Sequence, residues 1–295
     1  MSLFLQSLVN GLNQGAIYAL IALGYTMVYG IIRMINFAHG DFIMVGSYTL
    51  FYTVPLMTHV GMPAWMAVFI GVLVCIIVGV SVELIAYRPV RKAGSMTALI
   101  TALAMSLFLE NLAMVMFGAN PKSVPAIFTL PSIQVLGARI QLKYLLTITI
   151  GIIIMILLSL FIKYTKLGKA MRAVPQDKAA STLVGIKVNR IITITFAIGS
   201  GLAAIAALMY CSTYPRCTTE MGSMMGLKAF IAAVLGGIGS IPGAMIGGLL
   251  VGLIEILVKV YVAPGWYEAI TYILLILVLL VKPTGILGKN IGEKV

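Results

Sequence analysis

The chain has 295 residues, 61% of them hydrophobic and only 9% charged, with a formal net charge of +12. A water-soluble domain carries about 25% charged residues, so the solvent this composition suits is lipid, and its long apolar runs select helices over the period-two alternation of a membrane barrel. The positive excess reads as cytoplasmic loop charge rather than a nucleic-acid footprint, and Cys75, Cys211 and Cys217 are too scattered for a metal site or a disulfide framework.

The N-terminus has no basic stretch and no small-residue cleavage site, so the first apolar run is expected to stay as a helix. A membrane helix needs ~20 apolar residues to cross ~30 Å. Spans are predicted at 7–32, 36–58, 62–86, 97–118, 142–163, 191–211, 225–238, 243–261 and 265–281. The expected fold is an all-α polytopic membrane protein with eight to nine transmembrane helices, some broken, in one domain over 1–295.

The first span carries Gly11, Gly15 and Ala19 at i, i+4 and i+8, a small-residue face for close helix packing; Gly243 with Gly247, and Gly248 with Gly252, repeat it late in the chain. Next comes "RMINFAHGDF" at 33–42, which crowds Arg33, Asn36, His39 and Asp41 between two apolar runs. Three readings stand open. A helix sets Arg33 and Asp41 two turns apart and Asn36 beside His39. A break near Gly40 frees backbone N–H and C=O groups as a polar binding surface. An interfacial turn leaves Arg33 snorkelling to headgroups. His39 reads as a hydrogen-bonded structural group before a pH sensor.

Glu83, near the end of the third span, is expected to meet Arg88, Arg91 and Lys92 in the loop 87–96. Glu110 is an isolated acid that lines a pathway or sits at the outer interface. "SIQVLGARI", within 119–141, reads as a small external hairpin. The loop 163–190 holds Lys163, Lys166, Lys169, Arg172, Lys178, Lys187 and Arg190. Within it, "QDKAASTLVGI" reads as a short helix with Asp177 in its first turn and Gly185 at its end. Such a helix receives force from a peripheral motor; the competing reading is a headgroup-binding basic loop.

The 225–238 run contains Lys228 and, at 14 residues, reaches roughly 21 Å, too short to cross. "GGIGSIPG" follows, without the Lys-Ser/Thr of a phosphate loop. Two interrupted segments in matching places point to a transport path built on an inverted repeat. Glu255 and Lys259 are spaced for an ion pair within one helix. With Lys282, Lys289 and Lys294 in the tail, nine crossings with the N-terminus outside and the C-terminus inside satisfy every loop.

"GAIYALIALGYTMVYGIIRMINFAHGDFIMVGSY", "KLGKAMRAVPQDKAASTLVGI" and "AAVLGGIGSIPGAMIGGLLVGLIE" resemble the LivH-type permease of branched-chain amino acid ABC importers, in order and over nearly the whole chain. The resemblance implies a bacterial inner-membrane subunit that is not itself an enzyme and binds no cofactor. Its partners would be a second, LivM-like permease, two cytoplasmic ATPases carrying ATP and Mg, and a periplasmic or lipid-anchored binding protein. The amino acid substrate and the lipid bilayer complete the set; nucleic acid has no place in it. It implies that Asn36, His39, Gly40 and Asp41, with Gly236, Gly237, Gly239, Ser240, Pro242 and Gly243, face the translocation path. The segment 170–186 would couple to the ATPase through Arg172, Ala173, Asp177, Lys178, Ala179, Ala180 and Gly185. Here Lys178 replaces the Glu of the general importer pattern, and Gly185 comes one residue late. Alternating access would follow, with the carboxylate of the zwitterion near helix N-termini. Rival readings are a relative carrying urea, short amides or other amino acids, an ion-coupled secondary carrier using Asp41, His39, Glu110 and Glu255, and a non-transporting scaffold.

Overall fold

The computed structural model describes residues 2–91, 93–135, 137–282 and 284–288, so the expectations for Lys92, Lys289 and Lys294 lie outside the described residues. All nine predicted spans appear as helical segments. In chain order they are α1 (Ser2–Ile32), α2 (Asp41–His59), α3 (Ala67–Val82) continuing through a π-helical turn (Glu83–Tyr87) into α4 (Arg88–Val90), and α5 (Ser95–Phe117). Strands β1 (Lys122–Ser123), β2 (Ser132–Val135) and β3 (Ala138–Gln141) precede α6 (Leu142–Tyr164), α7 (Lys166–Ala173) and α8 (Lys178–Leu183). Then come α9 (Val188–Thr213), β4 (Arg216–Cys217), α10 (Met221–Gly236), α11 (Ile241–Tyr261) and α12 (Tyr267–Val281). Among the described residues, six helices are long and apolar enough to cross a membrane, and α10 and α12 are shorter apolar helices.

The predicted small-residue face of α1 lies against α11. A Cβ added at Gly15 would fall 2.6 Å from the Leu249 Cα, and one at Gly11 would fall 2.9 Å from the Leu253 Cα. Gly248 meets Ala19 from the other side. Where no hydrophobic force drives helices together, such close backbone approach supplies the dispersion contact that does. Helix α3 shows the outer arrangement: Gly71, Cys75, Gly79 and Val82 turn inward at helical spacing, while Phe69, Leu73 and Ile77 face out to lipid.

The bundle has two chemically different ends. Gly30 approaches Gly239, and the Ile286 and Leu287 N–H groups donate to the Leu235 and Gly236 carbonyls at 2.8 and 2.9 Å. The same end carries Arg33, Arg88, Arg91, the basic residues of 163–190 and Lys282. At the opposite end β1 pairs with β4, β2 pairs with β3 (Ile133 opposite Ile140), and Lys143 donates to the Ser212 carbonyl at 2.9 Å. The hairpin expected in "SIQVLGARI" is therefore present.

The trios α1–α2–α3 and α9–α10–α11 exchange their contacts. Helix α1 packs on α11 as α9 packs on α3; α1 packs on α10 as α9 packs on α2. The two lead helices run in opposite directions and cross at Gly24 and Gly199. These contacts have the pattern of an inverted repeat, in which α2 corresponds to α10; the glycine-rich break at 236–243, expected to mirror the 33–42 stretch, instead follows α10, where the α2–α3 turn stands in the first trio.

Three expectations need correction. Residues 33–36 are not helical, Arg33 adopts φ +57°, and α2 begins only at Asp41. The uninterrupted-helix reading of 33–42 therefore falls. The short late span runs from Met221 to Gly236, where Gly237 at φ +104° ends it. Asp177 is the N-cap of α8 rather than part of its first turn, accepting the Ala180 N–H at 2.9 Å.

Candidate functional site

From the basic end, the chain re-enters the bundle after Arg33 in a non-helical run. The Tyr87 hydroxyl, at the last position of the π-helical turn, donates to the buried Asn36 Oδ1 at 2.7 Å. Phe37–His39 forms a 3-10 turn. The His39 ring sits edge-on to Tyr25, at 4.8 Å between centroids, and to Phe42 at 5.6 Å. It occupies the notch at Gly24, where any Cβ would overlap the ring, with Gly199 beside it. The expected hydrogen-bonded histidine is thus corrected: among the described residues neither ring nitrogen has a hydrogen-bond partner, and aromatic edges hold the ring.

Gly40 lets α2 start where it does, because a Cβ there would strike the backbone of Gly222 and Gly226 on α10. Asp41 follows in the first turn of α2, with 0% exposure and neither carboxylate oxygen hydrogen-bonded among the described residues. Its Oδ1 points at Gly222 in the first turn of α10, and Ser106 and Glu110 of α5 lie beside it. Glu110 accepts a hydrogen bond from Ser223. Two helix N-termini, each carrying positive partial charge, thus converge on one buried carboxylate.

The second glycine-rich break is elsewhere. Gly237 and Gly239 adopt φ +104° and +95°, the Ser240 side chain accepts the Gly243 N–H at 3.2 Å to cap α11, and Pro242 sits in the first turn of α11. Gly236 and Gly243 touch backbone to backbone. Helix α10 separates this break from Asp41 by roughly 22 Å, its length at 1.5 Å per residue. The structure therefore sets Gly40 and Asp41 at the α10 N-terminus, His39 at the crossing of α1 and α9, and Asn36 against Tyr87. It leaves Gly236, Gly237, Gly239, Ser240, Pro242 and Gly243 at the basic end.

The residues expected to couple lie together at that end. Arg172 donates to the Lys163 carbonyl at 3.2 Å, and Ala173 ends α7. Lys178, Ala179 and Ala180 are exposed on α8, which closes at Gly185 with φ +87°. Beyond them Leu183 and Val184 are 88% and 76% exposed, an apolar pair at the end of the molecule.

Two ionic clusters complete the picture. Glu83 pairs with Arg91 and Arg88 as expected, and also accepts the Thr193 hydroxyl at 2.8 Å. Glu255 pairs with Lys259 at 2.6 Å as expected, and takes Lys228 at 3.1 Å and the Tyr18 hydroxyl at 2.6 Å as well. Tyr87, Ser106, Thr193 and Ser223 were not singled out by sequence. Lys228 was noted only as an oddity, although a lysine in an apolar run demands an anion. At the opposite end, burial pushes the Cys217 thiol up to about 11, and all three cysteines are free.

Residues 7–279 match the family described as "Branched-chain amino acid transport system / permease component". The chain is 43% identical to the high-affinity branched-chain amino acid transport system permease protein LivH of Salmonella typhimurium, over 99% of this chain and 98% of that one. It is 43% identical, with the same coverage, to the permease protein BraD of the corresponding system in Pseudomonas aeruginosa. Among solved structures, PsaBC from Streptococcus pneumoniae in complex with Fab aligns over 96% of this chain and 91% of that one, at 15% identity and a TM-score of 0.43.

Proposed function

This chain belongs to the branched-chain amino acid transport system permease family, and from that premise we propose that it forms half of a translocation path for branched-chain, hydrophobic amino acids. A second, LivM-like permease supplies the other half. Two cytoplasmic ATPases bind ATP and Mg and drive it, and a periplasmic or lipid-anchored binding protein delivers the amino acid. The supporting observation is the 43% identity, over 99% of the chain, to permeases of high-affinity branched-chain amino acid systems.

The end rich in Arg and Lys faces the cytoplasm of a bacterial inner membrane, which sets the N-terminus outside. Asn36, His39, Gly40 and Asp41 line the path, since polar groups this deep in a lipid-solvated bundle are retained for water or cargo. Gly236, Gly237, Gly239, Ser240, Pro242 and Gly243 form its cytoplasmic mouth. Helices α7 and α8, through Arg172, Ala173, Asp177, Lys178, Ala179, Ala180 and Gly185, dock on an ATPase. The inverted repeat rocks about the crossing of α1 and α9 to alternate access.

Leucine uptake into proteoliposomes tests the reading. One preparation holds this chain alone; the other holds it with its neighbouring permease, ATPases and binding protein. Uptake in the full set alone, and only with ATP, is expected. Uptake by the single chain on a proton or sodium gradient overturns it in favour of a secondary carrier. ATP-driven uptake of urea or short amides in place of leucine overturns the substrate.

A further inference from the structure

Beside the α2–α10 junction, four polar side chains from three helices face one another. Asp41 comes from α2, Ser106 and Glu110 come from successive turns of α5, and Ser223 comes from the first turn of α10. Asp41 is fully buried, and neither carboxylate oxygen has a hydrogen-bond partner among the described residues. It is aimed at the α10 N-terminus, where Gly222 leaves it room. Glu110 is half-buried, and Ser223, which donates to it, is exposed. The cluster therefore opens on the outer face of the bundle between α5 and α10. One turn from this polar pair, towards the basic end, the two helices present Leu107 and Leu227, both exposed.

This arrangement inverts the expectation that a substrate carboxylate sits at the helix N-termini. The two positive helix ends already face a carboxylate of this chain, Asp41. What remains is the Glu110 carboxylate, which takes a hydrogen bond from Ser223 and has no ion-pair partner among the described residues. Such a site favours a compact cation with several N–H donors over an anion.

We propose that Glu110, backed by Asp41, Ser106 and Ser223, is a subsite for the ammonium group of the amino acid in transit, with Leu107 and Leu227 placed against its apolar side chain. The proposal rests on the amino acid reading above and gives it a point of recognition inside the membrane, separate from selection by the binding protein.

The test uses the complete assembly in proteoliposomes with Glu110→Gln and Glu110→Asp. Both keep a polar group at a half-exposed position. ATPase activity stimulated by leucine-loaded binding protein is read in parallel with leucine uptake. The expected result is about a tenfold loss of uptake in Glu110→Gln with stimulated ATPase activity retained, and partial recovery in Glu110→Asp. Isopentylamine, a cation lacking the carboxylate, should slow uptake by the wild type and spare the residual uptake of Glu110→Gln. Uptake by Glu110→Gln equal to the wild type overturns the proposal. So does a matching loss of uptake and ATPase stimulation, which marks a structural role. If the wild-type assembly moves no leucine, the amino acid reading itself has failed, and that result is visible before any variant is compared.

Discussion

Glycine 15 and glycine 71 are the same residue under opposite constraints. At Gly15 a Cβ would sit 2.6 Å from the Leu249 Cα, whereas at Gly71 nothing lies within 4 Å. Gly15→Ala must therefore push α1 off α11, and the expected outcome is loss of the monodisperse peak in detergent size-exclusion. Gly71→Ala is expected to leave that peak in place and to raise the melting temperature slightly, as a helix gains up to ~1 kcal/mol from the exchange. Tyr87 is the second residue where one atom matters. Tyr87→Phe keeps the ring against Phe196 and removes only the hydroxyl that Asn36 accepts. Leaving a buried acceptor unpaired costs about 1–3 kcal/mol. A lower melting temperature is expected, together with reduced uptake, because Asn36 sets where the chain turns into the bundle. An unchanged melting temperature would mean that Asn36 finds water instead.

At the scale of the element, the two interrupted helices are held by different devices. Helix α2 begins inside the bundle against α10, while the far end of α10 is closed by the tail, whose Ile286 and Leu287 N–H groups take its last carbonyls. Ile286→Pro removes one of these donors without removing the apolar residue class. Faster backbone hydrogen exchange confined to the end of α10 is expected, and exchange spread evenly over the bundle would refute this account of the tail. Helix α8 depends on its cap: Asp177→Ala should cost a helix of this length about 1 kcal/mol and weaken ATPase stimulation while the purified chain melts as before. The existence of these elements was legible in the sequence. Hydropathy located all nine spans, and the short Lys228 run and the polar 33–42 stretch marked the interruptions. Their partners were not legible. Among the helices, 89% of the apolar window is buried in α1 and only 17% in α6, yet the more buried helix is the less apolar, with mean hydropathy 1.7 against 2.9. Lipid accepts the same residues as a protein core, so composition does not say which helix is central. For the same reason Ser106 and Ser223 gave no signal: a lone serine in a span is common, and only the fold sets them beside Asp41 and Glu110.

For the whole molecule, sidedness follows from charge. Among the described residues, Lys122, Arg139, Lys143, Arg216 and Lys259 are the basic residues towards the strand-bearing end, against Arg33, Arg88, Arg91, Lys282 and the seven of 163–190 at the other. A membrane-impermeant thiol reagent should label Leu183→Cys only in inverted vesicles and Met62→Cys only in right-side-out ones. Because Cys75, Cys211 and Cys217 are buried, the unmodified chain should label weakly from either side. Labelling of Leu183→Cys from outside would reverse the orientation.

The seam between α1 and α11 also has a bearing on how the chain is made. Helix α1 leaves the ribosome first, but its glycine face fits a helix that starts only at Ile241. At ~5–20 residues per second, the wait is on the order of ten to fifty seconds. Throughout it, Gln14, buried in the finished fold beside Gly252, has no α11 to cover it and stands in or near lipid. The newborn first helix must be sheltered by the insertion machinery, and a chain cut short before Ile241 would present an orphan surface for membrane quality control to recognise.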